Sequence, residues 1–398
     1  MNWIRISKTN LSLLIISLIL SVLAAEVALR FVVKIDREVE IVNDNILGKK
    51  AGARGSWDKN GFRNHSVPNK ADIVIMGDSQ TQGVNAKMDE AWPQVLARLS
   101  GKTVYQMAFI ERGVPQHYFL LDQALEFDPS LVMVGLYLGN DLLDAYNLVY
   151  NYDFWQKWRL PESDGSDLQI RDEEVRTMIN YGVDKNSLSF YLIKLRQWLR
   201  SKSYFYALLG DGTRKIREAL GLAETKEEKQ RRIEQWISSH PEEGYIYPDD
   251  KVKTILSPSY RLKTVDLSDP QTTEGWRLTQ LMLKEMNSKI NSYNKKFIIV
   301  IIPTKELVYG TFMKNKDIII PENLVEIISK EDNLKNAVLQ FCSEQNIICI
   351  DTTPALAQAL QEGIRIYPES LNGHPLARGY EIIAKAVYNF LQSSNLLN

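Results

Sequence analysis

Cysteine and histidine are scarce in this sequence: 398 residues include two cysteines, Cys342 and Cys349, and four histidines. So few thiols exclude a disulfide framework as the main source of stability, and no Cys/His spacing suggests zinc. Cys342 falls on an expected helix and Cys349 in the strand that follows it. A disulfide between them and a small buried hydrophobe are the two readings, and the second is favoured because a core cysteine usually behaves that way. An excess of charge of one sign is missing too. Lysine and arginine number 48 against 49 aspartates and glutamates, for a net charge of −1 and a pI near 6.5. That balance gives no basic footprint for a phosphate backbone, so nucleic acid is not expected as a partner. The run Lys226-Glu-Glu-Lys-Gln-Arg-Arg232 mixes signs and reads as a solvated helix face. No motif asks for a cofactor or a metal, and a 44% hydrophobic chain has enough apolar side chains for a full core.

Long apolar runs are also few, and the first is the most telling. Leu11 to Ala25 carries no charge. It is short for the ~20 residues that span a bilayer, but continuing through Glu26-Val-Ala-Leu-Arg-Phe-Val-Val33 makes it long enough. Glu26 and Arg30, four apart on one helical face, could pair near the interface. The rival reading is a cleaved signal peptide ending near Leu23-Ala-Ala25. An uncleaved anchor is favoured, since apolar helix continues past that site; either reading sends the rest of the chain out of the cytoplasm.

Asp72-Ile-Val-Ile-Met-Gly-Asp-Ser-Gln-Thr-Gln-Gly83 reads as a short buried strand broken at Gly77, with Asp78 and Ser79 presented before a helix starts. Open α/β sheets place their sites at the carboxyl ends of strands. Alone, the stretch is equally well an ordinary strand-to-helix turn. Three later stretches change the balance. The apolar run Leu131-Val-Met-Val-Gly-Leu-Tyr137 ends in Gly139-Asn140-Asp141, Gly113 lies upstream of it, and His374 sits in Asn372-Gly-His-Pro-Leu-Ala-Arg-Gly-Tyr380 at the start of the last helix. A serine hydroxyl needs a base. His65 lies ahead of the strand, His117 starts a surface helix and His240 sits in a charged stretch; only His374 joins a loop position to a closing core helix.

These blocks, in this order, resemble those of the SGNH/GDSL hydrolases over about residues 50–150 and 270–395. The pattern Gly-Asp-Ser-x-x-x-Gly also differs from the Gly-x-Ser-x-Gly elbow of α/β-hydrolases. The resemblance implies Ser79 as nucleophile, His374 as base, and an oxyanion hole from the Ser79 and Gly113 N–H groups and the Asn140 amide. Two departures stand out. Glu111 occupies a place where the family often has glycine, which leaves the second backbone donor open between Glu111 and Gly113. Asn372 stands where an aspartate is usual before the histidine, and Glu369, the nearest carboxylate, is a candidate displaced acid.

Strands alternating with helices imply an α/β fold: a three-layer, doubly wound, flavodoxin-like parallel sheet of about five strands, with an N-terminal membrane helix and a helical insertion. The expected divisions are 1–33 tail and anchor, 34–70 connecting segment, 71–149 first part of the core, 150–270 mostly helical insertion, and 271–398 second part of the core. Asp89 is the expected N-cap of the helix after Ser79. In the insertion, Leu188, Tyr191, Leu192, Leu195 and Leu199 form a helical stripe, and Trp155, Trp158 and Trp198 could stack on sugar rings, although aromatics there are more often core. Pro303-Thr-Lys-Glu306 resembles a step in relatives associated with exopolysaccharide assembly, and is equally a capped turn; Asn60-Gly-Phe-Arg-Asn64 resembles a lead-in of membrane-attached members.

The expectation is a membrane-anchored serine esterase or O-acyltransferase acting outside the cytoplasm on acyl groups, acetyl first, of a cell-envelope or secreted polysaccharide. Its partners would be the membrane, the acylated carbohydrate and polysaccharide assembly proteins. A non-catalytic assembly subunit that kept the fold is the second reading, and a lipase or thioesterase the third.

Overall fold

The computed structural model describes residues 8–32, 41–52, 57–160, 191, 195, 203, 205–206, 225–241 and 244–397. The chain divides into two compact units, Met1–Glu40 with Ile170–Arg231, and Ile41–Gln169 with Arg232–Asn398.

In the second unit the central sheet has five strands: β3 (Ile73–Gly77), β4 (Val104–Gln106), β5 (Leu131–Tyr137), β8 (Lys296–Ile302) and β9 (Ile348–Asp351). They run parallel in the order β4-β3-β5-β8-β9. By chain order this is 2-1-3-4-5, the flavodoxin-like doubly wound arrangement, in which ligands sit where the order reverses, here between β3 and β5. Every residue of β3 and β5 is buried, as is β8 apart from Lys296, which is why those runs lack the alternation of a half-exposed strand. The crossover connections include α3 (Trp92–Ser100), which packs on the closing helix α12 (Ala377–Ser393) on one face. On the other face α4 (Val114–Leu125) and α5 (Asp141–Asn151) pack on α8 (Pro270–Ser292). Two hairpins lie outside the sheet, β1 (Ile41–Asp44) with β2 (Gly48–Ala51), and β6 (Tyr245–Tyr247) with β7 (Thr254–Leu256).

Several sequence expectations are revised. Cys342, near the end of α10 (Glu322–Glu344), and Cys349 in β9 form a disulfide rather than two separate thiols. The tight turn between them, with Asn346 at φ +52°, brings their Cα atoms to 6.2 Å, within bridging distance. Asp89 lies in a 3₁₀ turn and faces His65, 2.6 Å from its Nε2, while Ala91 takes the N-cap of α3. Trp155 is core, its Nε1 donating to the Ile46 carbonyl at 2.8 Å, and Trp158 packs edge-on against Tyr118. Trp198 and most of the Leu188–Leu199 stripe lie outside the described residues. The 150–270 stretch also holds the β6–β7 hairpin, which belongs to the second unit.

The first unit contains α1 (Lys8–Val32), 25 residues long. Its Glu26 accepts from Ser203 Oγ at 2.8 Å and Phe205 N at 3.0 Å; the Arg30 side chain expected beside it lies outside the described residues. Among the described residues no helix is long and apolar enough to cross a membrane, and several side chains of the Leu11–Ala25 run are outside that set.

Gly77 and Gly135 are paired in register on β3 and β5, and Thr81 is wedged over both. A Cβ at either glycine would lie 2.2 Å from Thr81 Oγ1, a hydroxyl that is itself buried without a partner. Gly135→Ala should therefore cost about 1–3 kcal/mol by overpacking. Most of that loss should return in Gly135→Ala/Thr81→Ala, as measured by denaturant unfolding of both variants.

Candidate active site

β3 ends at Gly77, and Asp78 then caps the four-residue helix α2 (Ser79–Gln82), its Oδ1 accepting from Gln80 N at 2.8 Å. Gly83 closes α2 at φ +82°, a left-handed conformation that glycine adopts without strain. Ser79 is thus the first residue of a helix, where backbone N–H groups have no intrahelical carbonyl to bind. Its side chain stays half-exposed above the carboxyl end of the sheet.

His374 meets it from the far end of the chain. Between α11 (Thr353–Gln361) and α12, the loop turns back so that His374 Nε2 lies 2.8 Å from Ser79 Oγ. On the other side of the ring, Nδ1 is 2.8 Å from Asn372 Oδ1, which also accepts from the His374 backbone N–H at 3.0 Å. The structure therefore brings Ser79, His374 and Asn372 together. Glu369 points elsewhere, into an ion pair with Arg365 four residues back.

The expected oxyanion residues cluster for a steric reason. Asn140 follows β5 as Ser79 follows β3, on adjacent strands. Gly113 packs against the start of α5 so closely that a Cβ would fall 2.6 Å from the Asp141 carbonyl and 2.9 Å from Ala145 N. Asn140 Nδ2 donates to Asp144 Oδ2 at 2.8 Å, which uses one amide hydrogen and leaves one. The Gly113 N–H donates to Gln116 Oε1 at 3.0 Å. Glu111 has φ +55°, which accounts physically for glycine being common at that place, and its carboxylate pairs with Lys49.

Electrostatically the site is unusual. Burial, then Arg261 and Lys305, push the His374 imidazole down to about 4. Lys305 opens α9 (Lys305–Asn315), is 1% exposed, and donates from Nζ to the carbonyls of Ser370 at 2.8 Å and Asn372 at 3.4 Å. Burial lowers that ammonium to about 8. Arg261, on α7 (Pro258–Val265), donates to the Gly139 carbonyl at 2.9 Å and lies over the Tyr137 ring. Under Ser79, burial raises Asp78 to about 7, and raises Asp141, whose Oδ2 accepts from Tyr137 N at 2.9 Å, well above the carboxylate range. Each carboxylate disfavours ionisation of the other.

Sequence reasoning missed Asn85 and Arg261, placed Arg63 only in a lead-in, and left the stretch that holds Lys305 equally a site or a capped turn. Thr304 is a capping residue as the turn reading had it, accepting from Leu307 N, while the next residue reaches the histidine loop. A lysine three residues past the apolar run that ends at Ile302 is a signal for Lys305; Asn85 and Arg261 carry no local pattern at all. Arg63, from the expected lead-in, donates to the carbonyls of Gln82, Gly83 and Ala86 and so holds the loop behind Ser79. Among the described residues no cluster of three or more His, Cys, Asp or Glu could hold a metal ion.

A serine activated by neutral imidazole works only while the ring is unprotonated. Because the His374 value in the fold lies below that of free imidazole, ester turnover should hold from pH 7 down to about 5 and fall as pH passes through about 4. The unfolded chain takes up that proton from about 6.5 downward, so the same group withdraws stability as pH falls from 6.5 towards 4. A kcat/KM profile between pH 3.5 and 8 checks this; an acid limb near 6.5 would contradict it.

No family model matches the chain, and no curated protein matches it. Solved structures do. A lipolytic protein of the G-D-S-L family from Desulfitobacterium hafniense DCB-2 is 13% identical over 81% of this chain and 99% of its own, with a TM-score of 0.35. A GDSL-like lipase from Bacteroides thetaiotaomicron VPI-5482 is 8% identical over 81% and 88%, TM-score 0.32. A catalytic mutant of an acetylxylan esterase from Geobacillus stearothermophilus is 11% identical over 82% and 94%, TM-score 0.35. Strand order and the Ser79–His374 contact in this chain, rather than those scores, show a doubly wound α/β sheet with a serine–histidine pair at its carboxyl edge.

Proposed function

We propose that this chain is a serine ester hydrolase or O-acyltransferase that acts on ester-linked acyl groups, acetyl first, of a cell-envelope or secreted polysaccharide. The observation that carries the chemistry is the 2.8 Å approach of His374 Nε2 to Ser79 Oγ. With Nδ1 donating to Asn372 Oδ1, Nε2 presents its lone pair to the serine hydroxyl. His374 then takes the Ser79 proton as Oγ attacks the ester carbonyl, and returns it to the departing alcohol. The developing oxyanion is met by the Ser79 N–H and the remaining hydrogen of the Asn140 amide, with the Gly113 N–H as a third donor if Gln116 releases it. Water or a second hydroxyl resolves the acyl-enzyme, giving hydrolysis or transfer.

The carbohydrate part rests on resemblance at Asn60–Asn64 and Pro303–Glu306. The location rests on the apolar run inside α1, proposed as an uncleaved anchor with the second unit outside the cytoplasm; a disulfide fits an oxidising compartment. Polysaccharide assembly proteins are the proposed neighbours. The second reading, a non-catalytic assembly subunit, is favoured by one observation: no carboxylate touches His374 among the described residues.

Ser79→Ala should abolish labelling by a fluorophosphonate probe and hydrolysis of p-nitrophenyl acetate while leaving the melting temperature in place. Asn372→Asp should raise turnover about tenfold by adding charge beside the imidazolium, and Glu369→Gln should change it little. Probe labelling that persists in Ser79→Ala removes the nucleophile assignment, and no Ser79-dependent rate in any of these proteins transfers the reading to the non-catalytic subunit.

A further inference from the structure

Asn372 is exposed, and on the histidine side only one backbone N–H, that of His374, favours its oxygen over its NH₂, a single contact that water can replace. The orientation decides the chemistry. Oxygen towards Nδ1 requires Nδ1–H and leaves Nε2 free to accept from Ser79; NH₂ towards Nδ1 would force the proton onto Nε2 and block the base.

Asn85 sits where it can settle this. Its Nδ2 donates to the His374 backbone carbonyl at 2.8 Å, and its Oδ1 accepts from Asn372 Nδ2 at 3.0 Å. A carbonyl can only accept, so Asn85 must turn its NH₂ to it and its oxygen to Asn372. Asn372 must then show its NH₂ to Asn85 and its oxygen to His374. There it meets two donors, the His374 backbone N–H, which can only donate, and ring Nδ1. The ring of contacts starts and ends on the backbone of His374, so its polarity is fixed in one direction. Arg63 anchors the loop that carries Asn85 by donating to the carbonyls on either side of it, at Gly83 and Ala86. Lys305 holds the loop on the other side of the contact through the Ser370 and Asn372 carbonyls.

We propose that Asn85 is a positioning residue: it locks the Asn372 amide with its oxygen on His374, so that a neutral asparagine does the tautomer-setting work usually left to an aspartate. The effect on turnover rests on the Ser79–His374 reading of the site; the effect on the imidazole does not. Two measurements therefore separate them. The first is ¹⁵N NMR of histidine-labelled protein, with the His374 signals assigned by a His374→Gln variant. The parent should show a single Nδ1–H tautomer, Asn85→Ala a mixture with Nε2–H, and Asn85→Ala/Asn372→Asp a single Nδ1–H form again, because the two oxygens of a carboxylate are equivalent and need no orienting.

The second is p-nitrophenyl acetate turnover. Asn85→Ala should lower kcat about tenfold at unchanged KM, the scale of one well-placed hydrogen bond, and much less in the Asn372→Asp background. Asn85→Asp, which keeps the acceptor for Asn372 but sets a carboxylate against the His374 carbonyl, should also lose activity; circular dichroism melts of all variants check that each is folded. A parent ring carrying its proton on Nε2, an unchanged tautomer in Asn85→Ala, or an equal loss of turnover in both backgrounds overturns the proposal. Absence of turnover throughout overturns the hydrolase reading and leaves the NMR result to decide the role of Asn85.

Discussion

The site depends on one packing constraint, the side-chain-free contact between β3 and β5 at Gly77 and Gly135. Thr81 fills the space that two Cβ atoms would occupy, which lets α2 fold down directly over the sheet instead of being lifted off it. Because α2 is seated there, Ser79 emerges at the carboxyl edge where the strand order reverses, the place where a doubly wound sheet leaves a crevice. Gly113 repeats the device on the next connection, letting α4 and α5 close until backbone nearly touches backbone. These glycines fix where three blocks of sequence meet.

Given that platform, the histidine is governed by polarity more than by charge. In serine proteases, replacing the triad aspartate by asparagine costs ~10⁴-fold, chiefly because the wrong tautomer results. Here the Asn372 oxygen already faces Nδ1, so that part of the penalty is absent. The remaining part, loss of a negative charge beside the imidazolium, is reinforced by Lys305 and Arg261, which oppose protonation of the ring. The imidazolium formed during catalysis would have to be stabilised by the oxyanion it helps create. Such an imidazole stays neutral over a wide pH range.

Beneath the serine lies a second buried layer. Asp78 and Asp141 disfavour each other's ionisation, and Asp78 Oδ2 lies 3.3 Å from the Ser79 hydroxyl, placed to accept from it. Glu331 repeats the pattern behind α9: it is fully buried, accepts from the Thr304 N–H and hydroxyl, and is raised by burial to about 8. Backbone N–H groups thus meet one oxygen of Asp78, Asp141 and Glu331 under the site, while Thr81 Oγ1 and Asp141 Oδ1 are buried with no partner among the described residues.

Local sequence determined the strands and the ends of the first and third blocks. The apolar runs Leu131–Tyr137 and Lys296–Ile302 coincide with β5 and β8 because a strand buried on both faces needs an unbroken apolar run. Ser79, Asn140 and His374 were legible for a related reason: each sits at a break in such a pattern, where backbone geometry restricts the residue types. Tertiary structure alone decided that Cys342 and Cys349 pair, that Trp155 is core, that Glu369 serves Arg365, and that Asn85, Arg63, Lys305 and Arg261 surround the histidine. Asn85, Arg63, Lys305 and Arg261 lie from 69 to 311 positions from His374. Each donates to backbone carbonyls. A carbonyl is chemically the same at every residue, so a sequence cannot show which one a side chain will find until the fold has brought them within 3 Å.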